Sequence, residues 1–367
     1  MASITDTELD EIYAFAIQLG KDAGKMLMDA ATSRFGAGGN SGQEFSEKDN
    51  AVDIVTQTDE GKTREKSSPS RAASRVSFQL APGVSHCRSR SSLLDVEAFI
   101  HRSISSRYPD HKFVGEESYS KGTSREYLID DTAPTWCVDP LDGTVNYAHL
   151  FPTFCVSIAF LVGGRPVIGV IQAPFMNQLF TACKGRGAWL NETTPLPLIR
   201  EPIPPMPAAA PKGCVFCCEW GKDRRDIPDG NMHRKVESFM NMAAEVGGRN
   251  GKGGMVHGMR SLGSATLGLA YTAMGGVDIW WEGGCWEWDV AAGFAILLEA
   301  GGLVTTANAP KDPSNTEIPD AHLGGRLYLA IRPAGPSSSE TGRQGQERVV
   351  REVWRRVREL DYTRPGV

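Results

Sequence analysis

Residues 136–144 read Trp-Cys-Val-Asp-Pro-Leu-Asp-Gly-Thr, an apolar run closed by two acids, a proline and a glycine. Trp136, Cys137 and Val138 form a short apolar run suited to a buried strand. The run ends in two carboxylates three positions apart, Asp139 and Asp142. Pro140 fixes the turn between them and Gly143 permits a tight or left-handed backbone, so both carboxylates can face one point. Taken alone, an Asp-x-x-Asp-Gly serves as readily as a turn or a helix cap.

Outward from this stretch, further strand-like runs lie at 51–56, 154–162, 167–172 and 178–183. Apolar residues at 3–4 spacing predict helices over 5–31 and, from Asp95 onward, over Val96, Phe99, Ile100 and Ile104. In the second half, helices are expected at 232–246, 264–274, 288–300 and 347–360, with a strand at 277–281. Strands alternating with helices in both halves imply mixed α/β layers. The Pro-rich stretch 195–211 is expected to be an exposed loop, and the Pro, Ser and Gly-rich run 333–346 a flexible linker to the last helix.

Of 367 residues, 41% are hydrophobic and 23% charged, which places the chain among globular proteins rather than disordered ones. A net charge of −5 argues against a surface built to grip nucleic acid or anionic membrane. Eight cysteines lie mostly within apolar runs, and the lone C-x-x-C at Cys214 and Cys217 is weak metal evidence, so inert thiols in a reducing compartment are expected. No uninterrupted apolar run reaches membrane-spanning length, and a cytoplasmic location is the expectation.

Three more segments join apolar elements to acids: Asp53-Ile-Val-Thr-Gln-Thr-Asp59, Gly115-Glu116-Glu117-Ser118 and Trp286-Glu287-Trp288-Asp289. With Asp139-Pro-Leu-Asp-Gly-Thr144, the continuation through Asn146 and Pro152, and Gly258-Met-Arg-Ser-Leu-Gly-Ser-Ala265, they occur in the order typical of one family. The chain resembles the inositol monophosphatase family from about residue 8 to 332.

That resemblance implies an α/β fold, the αβαβα sandwich of the sugar phosphatases, and a lithium-sensitive, magnesium-dependent phosphatase that is usually a homodimer. Its implied metal ligands are Glu116, Asp139, the carbonyl of Leu141, Asp142 and Asp289. Asp59 and Thr144 are implied to activate the attacking water, with Glu117 near the metals and Lys48 orienting a water. Gly143, Thr144, Gly263, Ser264, Ala265 and Glu282 are implied to contact the substrate. The implied partner is a small phosphate ester, with no nucleic acid or membrane.

Physics agrees with a hard cation. Two carboxylates about 4 Å apart repel by about 4 kcal/mol at an effective dielectric of about 20, so a converging set needs protons or metal. All-oxygen donors without His or Cys select magnesium over zinc. Two readings remain open beside an inositol monophosphatase: another phosphatase of the same fold, such as a 3'(2'),5'-bisphosphate nucleotidase or a fructose bisphosphatase, and a non-catalytic phosphate-sensing or interaction protein. Trp286, where a smaller or polar residue is common in the family, leaves the shape of the polyol pocket open.

Residues 61–94 depart from the pattern, with nine Ser and seven Lys or Arg against one acid. A regulatory insertion, a loop without a role and a translated intron compete. Reverse translation favours the last: Gly61-Lys62 can encode a donor-like GGTAAR and Leu94-Asp95 an acceptor-like TAG, and excision preserves the frame. A mature message lacking codons 61–94 is the expected observation. The remainder reads as one catalytic unit over 1–332 in two halves, about 1–194 and 212–332, followed by the linker and helix of 333–367.

Overall fold

The computed structural model describes residues 4–35, 45–47, 54–56, 93–120, 129, 131–313 and 317–362. Lys48, Asp59, the glycine-rich stretch at 36–42 and residues 61–92 of the odd segment lie outside the described residues.

The first half contains α1 (Asp6–Thr32), the two-stranded ribbon β1 (Phe45–Glu47) and β2 (Ile54–Thr56), α2 (Leu93–Arg107), β3 (Lys112–Gly115), α3 (Glu116–Ser120), β4 (Thr135–Asp142) and α4 (Thr144–Ala148). β5 (Cys155–Val162), β6 (Arg165–Ala173), β7 (Gln178–Cys183), β8 (Ala188–Leu190) and β9 (Thr194–Pro195) follow. β3 to β9 form a seven-stranded sheet in sequence order, antiparallel except for the parallel pair β3 and β4. The second half holds β10 (Val215–Cys217), α5 (Asn231–Ala243), the single turn α6 (Gly248–Gly251), β11 (Gly258–Arg260), α7 (Ala265–Met274), β12 (Ile279–Gly283), α8 (Glu287–Glu299), β13 (Leu303–Thr305), β14 (Leu327–Ile331) and α9 (Gly342–Trp354). Its five-stranded sheet runs β11-β10-β12-β14-β13.

Side-chain alternation builds five layers from these elements. Trp136 and Val138 of β4, with Val156, Ile158 and Phe160 of β5, pack against Ile12, Leu19 and Leu27 of α1 and Val96 and Ile100 of α2. Cys137, Cys155 and Ala159 point the other way, onto Leu267 and Leu269 of α7 and Ala291 and Ala292 of α8. Those two helices also cover Trp280 and Ala330 of the second sheet. The outer face of that sheet, Phe216, Trp281 and Leu329, packs against Met242 of α5 and Val349, Val350 and Val353 of α9. The order helix, sheet, helix, sheet, helix is the αβαβα sandwich. Gly169 on β6 allows the closest approach to the middle layer, since a Cβ there would stand 2.3 Å from the Ala292 carbonyl oxygen.

Two expectations are corrected. Much of 195–211 is not exposed: Met206 and Ala210 are buried in the core under α9, although Leu198 and Ile199 face solvent. The Arg332 guanidinium donates to the carbonyls of Pro204 (3.0 Å) and Pro205 (3.0 Å), and Arg348 to that of Pro207 (3.2 Å). Proline supplies acceptors without donors, and these arginines satisfy them. Nor is 333–346 a flexible linker throughout: Pro333 and Gly335 are buried, Gly335 N donates to Pro204 O, and buried Gln346 donates to the carbonyls of Gly301 and Arg332. The final helix runs over Gly342–Trp354, ending before the expected Leu360, and belongs to the outermost layer of the second half.

Candidate active site

The candidate site lies where β4 ends against the N-terminal ends of α7 and α8. In β4, the pairing with β5 shifts register between Asp139 and Asp142. Trp136 and Val138 face α1, yet after this irregularity it is Leu141 that joins that cluster. The shift therefore swaps the phase of the strand, and Asp142 turns to the same side as Asp139. Gly143 follows with φ +84°, and a Cβ there would meet the Thr153 carbonyl oxygen at 2.7 Å, so only glycine fits the turn.

Each acid is held by specific donors. Asp139, 1% exposed, accepts the Leu141 amide at 2.9 Å. Asp142 accepts the Ser264 hydroxyl (2.5 Å) and the Thr266 amide (3.0 Å). Ser264 also caps α7, accepting from Leu267 N at 3.1 Å, so one hydroxyl both starts the helix and orients the acid. Asp289 stands in the first turn of α8 and accepts the Trp286 amide at 2.7 Å. Carboxylate oxygens of Asp139, Asp142 and Asp289 lie within 4.8 Å of one another.

Burial and mutual repulsion raise the proton affinity of this set. Burial, then Glu116, Asp142 and Asp289, push Asp139 well above the carboxylate range. Burial lifts Asp142 to about 6 against its donors. Asp289 rises to about 8 through burial and the charges of Asp142 and Glu116, with Lys222 opposing. Oxygen donors with high proton affinity, fixed by second partners, fit a hard divalent cation.

Glu116 and Glu117 open α3 and line the same cavity. Their segment is fixed by Glu97 of α2, a buried acid that sequence reading missed: it accepts the Glu117 amide (2.8 Å) and the Ser118 hydroxyl (2.6 Å). Its signal was an acid among the apolar positions of α2. Thr144 starts α4, and its hydroxyl donates to the Leu141 carbonyl at 3.2 Å. Asn146 Nδ2 donates to Leu262 O (2.8 Å) and Thr153 Oγ1 donates to the same oxygen (2.7 Å), tying the Gly263-Ser264-Ala265 loop to α4 and to the turn before β5.

Gly143, Thr144, Gly263, Ser264, Ala265 and Glu282 all line a cavity of about 530 Å³ together with Glu116, Glu117, Asp139, Leu141, Asp142 and Asp289. Glu282, however, is 2% exposed and ion-paired with Lys235, itself 0% exposed. Glu282 also accepts the amides of Glu219 (2.6 Å) and Gly283 (2.9 Å), so both oxygens already serve protein donors. That differs from a carboxylate presented to a substrate hydroxyl. Trp286 stacks on Trp288 with centroids 5.5 Å apart and carries the Arg326 guanidinium 4.0 Å above its ring. Glu219, Lys222, Arg224, Arg326 and Tyr362 also line the cavity, and no motif had pointed to them.

The sequence matches the model of the inositol monophosphatase family over residues 93–358. It is 65% identical to quinic acid degradation cluster protein x of Neurospora crassa, covering 99% of this chain and 98% of that protein. It is 63% identical to protein qutG of Emericella nidulans, again over 99% and 98% of the two chains. Inositol monophosphatase 2 of Saccharomyces cerevisiae is 38% identical over 73% of this chain and 82% of its own. Among solved structures, inositol monophosphatase from an Anabaena species superposes with a TM-score of 0.59 at 24% identity, over 96% of this chain and 98% of that one, which is a likeness of fold. The family match and these relatives establish that the chain belongs to the inositol monophosphatase family.

Proposed function

We propose that this phosphatase-family chain is a magnesium-dependent phosphomonoesterase acting on inositol monophosphate or a related small polyol phosphate. The observation that carries the reading is the meeting of Asp139, Asp142 and Asp289 within 4.8 Å, with proton affinities raised by burial and mutual repulsion. Glu116, Asp139, the Leu141 carbonyl, Asp142 and Asp289 would hold the cations. When bound, magnesium would supply the positive charge that holds the phosphate and stabilises the oxygens entering and leaving phosphorus.

The chain's own groups do the rest. Asp142, oriented by Ser264 and the Thr266 amide, and Asp289, oriented by the Trp286 amide, present fixed oxygens, so little reorganisation accompanies reaction. Thr144, with Asp59, would take and pass the proton of the attacking water at its hydroxyl. Glu117 would stand beside the cations and Lys48 would orient a water. Gly143, Gly263, Ser264 and Ala265 would contact the substrate, and Glu282, held by Lys235 and two amides, would shape the wall of the cavity beside it.

Support for a ring polyol comes from the yeast inositol monophosphatases and from the Neurospora relative, a quinic acid degradation cluster protein. A homodimer in the cytoplasm completes the proposal. The seven described cysteines are free and buried, which suits a reducing compartment. Among the described residues, no helix is long and apolar enough to cross a membrane.

The test is phosphate release from inositol 1-phosphate with Mg2+, with EDTA, and with added lithium. Release that needs Mg2+ and falls by about a hundredfold or more in Asp142→Asn is expected. Equal release by Asp142→Asn, or none by the wild type, overturns the catalytic reading.

A further inference from the structure

One wall of the cavity is supplied by the chain after α9, beyond the stretch matched by the family model. Two asparagines hold that segment in place by peptide-like pairs of hydrogen bonds. Asn308 accepts the Leu360 amide (2.9 Å) and donates to the Leu360 carbonyl (2.8 Å). Asn231 does the same for Asp361, at 2.7 and 2.8 Å. Four such bonds fix the backbone on both sides much as a strand partner would.

Tyr362 then lies against the turn that leads into α8 and Asp289. A Cβ on Gly283 would be 2.8 Å, and one on Gly284 3.0 Å, from its ring, and a Cβ on Gly221 would be 2.7 Å from its hydroxyl. The Tyr362 hydroxyl is buried at the cavity and has no hydrogen-bond partner among the described residues. A buried orphan hydroxyl is costly and calls for a partner that the described residues do not provide.

Both cations and acids stand around it, Lys235 with Glu282 and Asp223 nearest. Lys222, next to Gly221, lies close enough to act on Asp289, and Arg224 lines the same cavity while its Nε holds the Gly221 carbonyl at 2.7 Å. The acids of this wall have partners already: Glu282 pairs with Lys235, Asp223 takes a bidentate contact from Arg225 at 2.8 and 3.0 Å, and Glu219 accepts Ser261 and Leu262 N. The wall brings a phenol hydroxyl together with two positive charges, the complement of an anion.

We propose that Tyr362, Lys222 and Arg224 form a second subsite for a carboxylate carried by the substrate, so that the preferred substrate is a phosphate ester of a ring polyol acid. This rests on the phosphatase reading above. Ester cleavage would occur at the carboxylate cluster, while the substrate's own carboxylate is held by the Tyr362 hydroxyl and the two cations.

The experiment compares shikimate 3-phosphate, a phosphorylated ring polyol carboxylate, with inositol 1-phosphate, at low and high salt with saturating Mg2+. A kcat/KM at least tenfold higher for the acid is expected, with the preference shrinking as salt screens the subsite. Lys222→Ala/Arg224→Ala should bring the ratio of the two kcat/KM values close to one. Tyr362→Phe, which keeps the ring, should raise KM for the acid more than it lowers kcat. A wild-type preference for inositol 1-phosphate, or a ratio unmoved in the double variant, overturns the subsite alone. Failure to hydrolyse either ester or p-nitrophenyl phosphate under any divalent cation overturns the phosphatase reading and the subsite with it. A wild-type unfolding temperature in each variant separates these effects from misfolding.

Discussion

Stripping divalent cations should make the stability of this protein fall as pH rises from about 5 to 8.5, and saturating Mg2+ should abolish that fall. Asp142 rises from 3.8 to about 6 and Asp289 from 3.8 to about 8, with burial the largest cause in both. A carboxyl whose folded pKa exceeds its unfolded value binds its proton more tightly in the native state. The resulting stabilisation is whole below about pH 4 and is lost as pH climbs through about 6 to 8. At about 1.4 kcal/mol per pH unit, the rise of Asp289 alone sets a ceiling near 6 kcal/mol. Asp289 and Asp142 are only half-buried and the cavity admits water, so screening lowers the expected loss to about 1–3 kcal/mol. For a chain of this length that is about 2–4 °C in unfolding temperature. Scanning calorimetry in EDTA and in Mg2+ across this window measures it. Asp289→Asn keeps an acceptor for the Trp286 amide but removes the charge. In EDTA at pH 8.5 it should therefore unfold at a higher temperature than the wild type, with a flatter pH slope. A flat wild-type profile in EDTA, or an Asp289→Asn profile as steep as the wild type's, refutes the reasoning.

Two further outcomes follow from groups around the cavity. Lys235→Met or Glu282→Gln alone should cost about 3–5 kcal/mol by chemical denaturation, because each leaves a charge or polar group buried without its partner. The double variant Lys235→Met/Glu282→Gln should recover most of that loss, and purely additive losses would contradict it. Glu97→Ala frees the Glu117 amide and the Ser118 hydroxyl, and should raise the Mg2+ concentration for half-maximal activity about tenfold or more, with Glu97→Gln between. An unchanged Mg2+ requirement in Glu97→Ala would show that this acid only supports the fold.

That strands and helices form mixed layers was legible because their periodicities are local, whereas the five-layer order followed from the family resemblance. The convergence of Asp139 and Asp142 was legible because Pro140 and Gly143 announce a sharp turn between them. The register shift that rotates Asp142 was not, since it arises in pairing with β5. Lys235 looks in sequence like an ordinary solvated helix position, yet it is buried because Glu282, distant in sequence, meets it; for Glu97 the one hint was an acid on the apolar stripe of α2. The Pro-rich stretch 195–211 suggested a loop in water, and only Arg332 and Arg348, more than a hundred residues away, show why its carbonyls can be covered. Boundaries of α5 and α9 moved by several residues because tertiary contacts, rather than propensity, end those helices.

Asp142 belongs to the first half, but both of its donors, Ser264 and Thr266, belong to the second, and Thr266 Oγ1 in turn donates to the Asp289 carbonyl at 2.7 Å. The carboxylate cluster is thus a seam, and neither half carries it alone. On the metal reading proposed above, a chain emerging from the ribosome would complete the set of Asp139, Asp142 and Asp289 only when residue 289 has been made and α8 has docked between the sheets. Once captured, the cation would act as a rivet across the seam, so that prising the halves apart and releasing the ion become the same event.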